Sequence, residues 1–277
     1  MAKLNGFTKK QILDIYYKMS LSRALDTKML ILLKQGKSFF HMGASGHEAA
    51  QLAASIIFKP GIDWSYPYYR DGAYCLGLGM TAREQLLSFL SKADDPNSGG
   101  RQMPMHYGHK DLKIISQSSP TGSQFLQALG TSFAAKNDGK NSIVYVSSGE
   151  GTTSQGDFHE ALNWASNAKA PIIFHIQDNE YAISTHKSEQ SADSVFTRAA
   201  GYKNLSRFDV DGTDFFESYL AFKQACERAR KGQGPSVVVT NVVRLLPHSS
   251  SDDQRKYRSE DDLNKDQERD PLIVLKS

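Results

Sequence analysis

The chain has 277 residues, 39% hydrophobic and 23% charged, which is enough to bury a full core without disulfide or metal staples. Its formal net charge of +3 is small and spread along the chain, which argues against a nucleic-acid partner or a membrane surface. No apolar run of about 18 residues exists to span a bilayer, and Cys75 and Cys226 lie far apart outside any CxxC pair, as buried free thiols in a reducing compartment would.

Residues 1–11, MAKLNGFTKKQ, have neither the apolar core of a signal peptide nor the Arg-rich composition of a transit segment, so a cytoplasmic location is expected. Thr8 and Gln11 make a capping-box pair, and Ile12, Ile15, Tyr16 and Met19 recur at helical spacing, with Gly36 as the stop. A second helix is expected over about 46–58, ended by Pro60-Gly61. Another follows Met80, where Thr81 can cap and Glu84 sits three residues on.

From residue 142 the pattern turns to α/β. Strands are expected over 142–148, 171–176, 207–210 and 236–240, with helices over 154–167 and 214–231. Helices that separate nearly continuous apolar strands predict a mostly parallel sheet with helices on both faces. Such sheets take ligands at the carboxyl ends of their strands, here the loops after Ser147, Ile176, Val210 and Val243. After His248 the chain is dense in charge and nearly free of apolar residues, which predicts a solvated tail or mobile loop, with a segment ordered on binding as the alternative.

The first clear strand runs into Gly149-Glu150-Gly151-Thr152. Flanking glycines let backbone approach a diphosphate while the carboxylate holds a divalent cation, although a plain strand-to-helix turn looks the same. The second strand runs into Asn179, 29 residues after Glu150, so a second oxygen ligand emerges from an adjacent strand end. Glu150, Asn179 and a backbone carbonyl near Tyr181 suit Mg²⁺, which completes its shell with phosphate oxygens and water.

This pair resembles the GDG…NN signature of thiamin-diphosphate enzymes, with Glu in place of the usual Asp. GRQMPMHYGHK (100–110), SSP (118–120), GEGTTSQGD (149–157), NEYAIST (179–185) and HSSSDDQRKYRS (248–259) resemble, in order and spacing, consecutive motifs of the E1 α subunit of 2-oxo acid dehydrogenases. The resemblance implies a thiamin-diphosphate-binding fold. It also implies roles for individual residues. Tyr69 and Arg70 match the pair at the diphosphate, which a planar guanidinium suits; out of context Arg70 reads equally as a surface ion pair with Asp71. Ser119 and Thr121 match positions beside the thiamin rings, and Gly149, Gly151, Thr152 and Ala182 belong to the cofactor loops. Ser118, Pro120, Ser123 and Gln124 match a K⁺-binding turn of branched-chain enzymes, though an ordinary Ser-Pro turn explains them too.

His248 matches the active-site histidine at the start of the family's mobile loop, which also lies against the cofactor, and an imidazole suits proton work near neutrality. His106 matches a second active-site histidine, with a ring packed beside Tyr107 as its alternative. Arg244 and Asp252 match residues that position the loop. Ser249 aligns with a serine that mitochondrial relatives phosphorylate, where added charge would repel a substrate carboxylate. Three features depart from the pattern. Gln177 stands at a cofactor position where branched-chain relatives usually carry an arginine, Leu246-Pro247 stiffens the approach to His248, and the sequence ends soon after the loop, so the polypeptide is expected to be cut or to continue, a fused β part being one such continuation.

The resemblance thus implies the α component of an E1: oxidative decarboxylation of a 2-oxo acid and reductive acylation of lipoyl groups on the E2 acyltransferase. Thiamin diphosphate, Mg²⁺ and K⁺ are the implied cofactors, and an E1 β subunit, separate or fused, is the implied partner in an α2β2 assembly. The glutamate that activates the cofactor comes from β in this family, and none is identified in this chain, so alone it is expected not to turn over. GRQMPMHYG and Asp252-Asp253 favour a branched-chain substrate over the pyruvate or acetoin types. The implied organisation is a helical segment over 1–60, the cofactor-binding α/β domain over 61–245, and the active-site loop with a short C-terminal segment over 246–277. A non-catalytic scaffold is the alternative from another class, on Gln177 and the short C-terminus; a dinucleotide-binding oxidoreductase is disfavoured because no GxGxxG follows a strand.

Overall fold

The computed structural model describes residues 6–277; the part of the targeting-signal expectation that falls on residues 1–5 lies outside them. Helix α1 (Lys9–Lys34) opens on the expected capping box, in which Gln11 N–H donates to the Thr8 hydroxyl and the Gln11 side chain accepts from Thr8 N–H. Ile15, Met19, Leu25 and Met29 bury its inner face. Helix α2 (Glu48–Ser55) is shorter than expected. Its approach turns at Gly46, where φ is +104° and a Cβ would lie 2.1 Å from the Val243 carbonyl, so only glycine fits.

Strand β1 (Trp64–Tyr66) and helix α3 (Gly72–Leu78) have no counterpart in the sequence-based expectation, and neither has α5 (Gln124–Lys136). Between them, α4 (Ala82–Phe89) carries the expected Thr81/Glu84 capping box. The chain continues through β2 (Val144–Gly149), a 3-10 turn at Glu150–Ser154, α6 (Gly156–Ala168) and β3 (Ile172–Asp178). A hairpin of β4 (Tyr181–Ala182) and β5 (Thr185–His186) follows, then the short helices α7 (Lys187–Gln190) and α8 (Val195–Arg198). Next come β6 (Ser206–Asp211), α9 (Phe215–Arg230) and β7 (Ser236–Asn241), then α10 (Glu260–Glu268) and α11 (Pro271–Lys276).

One five-stranded sheet, in the order β1-β2-β3-β7-β6 and parallel at every pairing, organises the molecule. This is the expected α/β architecture with helices on both faces. Side-chain alternation along each strand splits the core in two. Tyr145, Ile173 and Val238 face α1, α2, α3 and α9, where Phe215 and Phe222 are fully buried. Val144, Phe174 and Val237 face α5 and α6, with Phe125 and Phe158. Each buried phenylalanine contributes roughly 1.5–3 kcal/mol over exposure. Among the described residues no helix is long and apolar enough to cross a membrane.

The charged stretch after His248 is solvated as expected over α10, which buries no residue, but it is anchored rather than a free tail. Arg258 is buried and pairs with Asp266 at 2.7 Å, while Arg23 of α1 reaches Asp270 at 2.8 Å. Leu272 and Leu275 pack against the α1 side of the core. Some of the charges pair within the stretch, as Arg258 does with Asp266, and others are met by partners far away in sequence, as Asp270 is by Arg23, which composition cannot reveal.

Candidate functional site

At the carboxyl ends of β2 and β3 a cavity of about 370 Å³ opens, where a parallel sheet is expected to place a ligand. The structure brings most of the expected residues to its wall. Tyr69, Arg70, His106, Ser119 and Thr121 come from loops beside the sheet, and Gly149, Glu150, Gly151 and Thr152 from the end of β2. Asn179, Tyr181 and Ala182 follow β3, and His248 follows β7.

Glu150 is 6% exposed. Its Oε2 accepts from Asn179 N–H at 3.3 Å, but its Oε1 is buried with no partner among the described residues. Burial first, then the nearby Asp178 carboxylate, pushes its carboxyl up to about 7. An oxygen left in this state is costly unless something meets it. Asn179 lies alongside, its Oδ1 accepting from Tyr181 N–H at 3.2 Å with a lone pair to spare. No cluster of three or more His, Cys, Asp or Glu side chains capable of holding a metal occurs among the described residues. The donor set therefore fits a hard cation that brings most of its oxygens with a phosphate ligand and water.

The two glycines around Glu150 differ. A Cβ on Gly151 would lie 2.5 Å from the Ala182 Cβ, so the β4 hairpin approaches too closely for any side chain. At Gly149 the nearest atom would be 3.9 Å away, so that glycine leaves open space at the cavity wall.

Arg70 is 2% exposed and is no surface ion pair with Asp71. Its Nη1 donates to the Gly43 carbonyl at 2.5 Å, and its Nη2 donates to the His248 ring Nδ1 at 3.1 Å and to the His248 carbonyl at 2.9 Å. A guanidinium cannot accept, so His248 Nδ1 is the acceptor and the ring proton sits on Nε2. Burial, then Arg70 and Arg244, lowers the His248 pKa to about 4 against the opposing Asp252. The ring is neutral at pH 7. His248 N–H donates to Asp252 at 2.8 Å, Tyr257 OH donates to the same carboxylate, and Arg244 donates to Tyr257 OH at 2.7 Å and to the Ile183 carbonyl at 3.0 Å. Arg244 and Asp252 thus lie behind the cavity wall and brace His248 from outside. His106 donates from Nδ1 to the Met103 carbonyl, leaving Nε2 2.9 Å from the Ser119 hydroxyl.

Three further groups of residues fall elsewhere. Gln177 does not reach the cavity, contrary to expectation. Residues 173, 175 and 177 share one face of β3, and Gln177 is fully buried on that face among His47, Gln51 and Asp71. Burial pushes the Asp71 carboxyl up to about 7 against the hydrogen bonds that it accepts from Ser147, Gln177 and Tyr145. The turn of Ser118, Pro120, Ser123 and Gln124 closes on itself: the Ser118 and Ser123 hydroxyls meet at 2.6 Å, Ser123 donates to the Pro120 carbonyl at 3.0 Å, and Gln124 Nε2 donates to the Ser147 carbonyl at 3.1 Å. Both cysteines are free and buried, as expected, and burial pushes their thiols up.

Sequence reasoning missed Met42, Tyr68, Met103, Gln117 and Ile183 on the wall, and His47 beneath it. His47 is fully buried, and burial, then Arg70, lowers its pKa to about 3, so its ring is neutral. Its position at the start of α2 was the only available signal, because periodicity says nothing about a residue in a turn.

The family described as "Dehydrogenase E1 component" matches residues 16–277. The "2-oxoisovalerate dehydrogenase subunit alpha" of Bacillus subtilis is 41% identical over 273 residues, 98% of this chain and 82% of that protein. The "Pyruvate dehydrogenase E1 component subunit alpha" of Staphylococcus aureus is 34% identical over 267 residues, 96% of this chain and 69% of that protein.

Proposed function

The chain belongs to the dehydrogenase E1 component family, and from that membership we propose that it is the α component of a branched-chain 2-oxo acid dehydrogenase. It is an oxidoreductase that acts on 2-oxo acids with a β partner and passes the acyl group to lipoyl groups of an E2 component. The arrangement of an α2β2 assembly is part of the proposal. The observation that carries the site assignment is the unpartnered Glu150 Oε1 beside Asn179 at the strand ends.

Thiamin diphosphate, when bound, would supply the nucleophile and electron sink that decarboxylation of a 2-oxo acid requires. In this chain Glu150, Asn179 and the Tyr181 carbonyl would hold Mg²⁺, which would supply charge neutralisation at the diphosphate. Tyr69, Arg70, Thr152 and the backbone of Gly149, Gly151 and Ala182 would receive the phosphates, and Ser119 and Thr121 would lie beside the rings. His248, with its proton on Nε2, donates to the carbonyl oxygen of the substrate, and His106 lines the same space. Arg244 and Asp252 hold His248 in place. The converging oxygens of Ser118, Pro120 and Ser123, with Gln124 beside them, are proposed as a K⁺ seat. The functional units are proposed to follow 1–60, 61–245 and 246–277. The chain is expected to hold cofactor without turning over until β joins it.

A branched aliphatic substrate is supported by the higher identity to the 2-oxoisovalerate relative and by Met42, Met103 and Ile183 in the cavity wall. Side-by-side kcat/KM for 3-methyl-2-oxobutanoate and pyruvate in the αβ complex tests it. The branched acid is expected to lead by about 10-fold or more, the worth of its extra methyl groups in an apolar pocket. Preference for pyruvate would overturn the branched-chain assignment.

A further inference from the structure

The Asn179 side chain carries an oxygen on one branch and an NH₂ on the other, with nearly the same shape, so its use as a cation ligand depends on which branch faces the cation. The direction is set from two sides: Tyr181 N–H donates to Asn179 Oδ1 at 3.2 Å, and a chain of hydrogen bonds that begins at the backbone reaches the NH₂. Ala73 N–H donates to Gln51 Oε1 at 3.1 Å, which commits the other Gln51 branch, Nε2, to donate to the Arg70 carbonyl at 3.0 Å and to Gln177 Oε1 at 2.9 Å. Gln177 Nε2 donates in turn to Asp71 Oδ1 at 2.5 Å, so both ends of Gln177 are fixed. His47 Nδ1 stands 2.8 Å from Gln177 Oε1 and must be its donor, because that oxygen has no proton to give. Nε2 of the same ring is then an acceptor, and the group facing it, at 3.4 Å, is the Asn179 NH₂.

We propose that His47 is a positioning residue: its ring holds the Asn179 NH₂ and so turns Asn179 Oδ1 toward the cation. The inference rests on Asn179 being a cation ligand, and it gives Gln177 a role beneath the site in place of a contact with the cofactor. Every link is fully or nearly fully buried, so water has little room to substitute for the ring.

The test is calorimetric titration of Mg²⁺ into the αβ complex at saturating thiamin diphosphate, with three variants. The His47→Gln side chain can place an acceptor oxygen where the ring Nε2 sits. His47→Asn reaches only as far as Nδ1, so it can keep the bond to Gln177 but not the one to Asn179. His47→Leu keeps neither. The expected result is a Mg²⁺ Kd weakened about 10- to 100-fold in the Asn and Leu variants and within about 3-fold of wild type in the Gln variant, the scale on which supporting bonds act on a metal site. A role in packing or in anchoring Gln177 alone predicts the reverse order, with Asn the better substitute. Equal affinity in all three variants, or Asn binding better than Gln, overturns the inference. Thermal melting of each complex checks folding, and if His47→Leu does not fold the Asn and Gln pair still decides. Absence of Mg²⁺ binding by the wild-type complex removes the metal assignment itself, an outcome distinct from wild-type binding with unaffected variants.

Discussion

Arg70 donates through a single nitrogen, Nη2, to both the ring Nδ1 and the main-chain carbonyl of His248, across 178 positions of sequence. The contact joins the loop before α3 to the segment after β7, and it fixes the tautomer of the histidine. Because Nη1 is also committed, to Gly43, the guanidinium works as a rigid clamp rather than a loose charge.

A lysine keeps the charge at this position but cannot reach all three acceptors. Arg70→Lys is therefore expected to lower kcat/KM of the αβ complex about 100-fold through misplacement of His248. Steady-state kinetics measures this, and thermal melting checks that the fold persists.

His248→Asn is expected to lower kcat about 100-fold or more, the range for loss of a proton-transfer group, while thiamin diphosphate still binds. The same variant has a pH signature. The His248 pKa falls from an ordinary 6.5 to about 4 on folding, so the unfolded chain binds the extra proton first as pH falls. The neutral ring thus favours the fold above pH 6.5, and this contribution fades toward about pH 4. Relative to His248→Asn, wild type should lose on the order of 1 kcal/mol over that window, after allowance for solvent screening of a partly exposed ring. Urea denaturation of the cofactor-free chains at pH 7 and pH 5 reads the difference; a constant gap contradicts it.

The glycines on either side of Glu150 should separate fold from binding. Gly151→Ala drives a methyl group into Ala182, and is expected to cost about 1–3 kcal/mol of stability. Gly149→Ala meets nothing closer than 3.9 Å, so the melting temperature should hold while thiamin diphosphate binding weakens.

Arg23 pairs with the fully buried Glu48 at 2.7 Å and with Asp270 at 2.8 Å. Arg23→Ala leaves Glu48 buried without its cation, at an expected cost of about 3 kcal/mol. It also unties α11 from α1. A denaturant midpoint and faster proteolysis within residues 246–277 are the checks.

Much of the molecule could be read from local signals. The capping boxes at Thr8 and Thr81 place two helix starts to the residue, and the apolar runs around 144–149 and 172–178 show a buried parallel sheet. The motif spacing of Glu150 and Asn179 located the cavity. What stayed hidden depends on distant partners. β1 is three residues long and carries no alternation to detect, and α3 is buried almost throughout, which erases the amphipathic period. The tail after His248 reads as solvated because Asp270 finds its counter-charge, Arg23, only in three dimensions. Gln177 is expected at the cofactor because it stands where the resembling branched-chain enzymes usually carry an arginine, but the period of two in β3 turns it to the opposite side, toward His47.

The central claim is that Glu150 and Asn179 form a cation site for the diphosphate of thiamin diphosphate. Calorimetric titration of thiamin diphosphate into the αβ complex, with and without Mg²⁺, for wild type and Glu150→Gln, tests it most directly. Binding that needs Mg²⁺ and falls at least about 10-fold in Glu150→Gln is the predicted result. Binding of equal strength without Mg²⁺, or an undiminished Glu150→Gln variant, would contradict it.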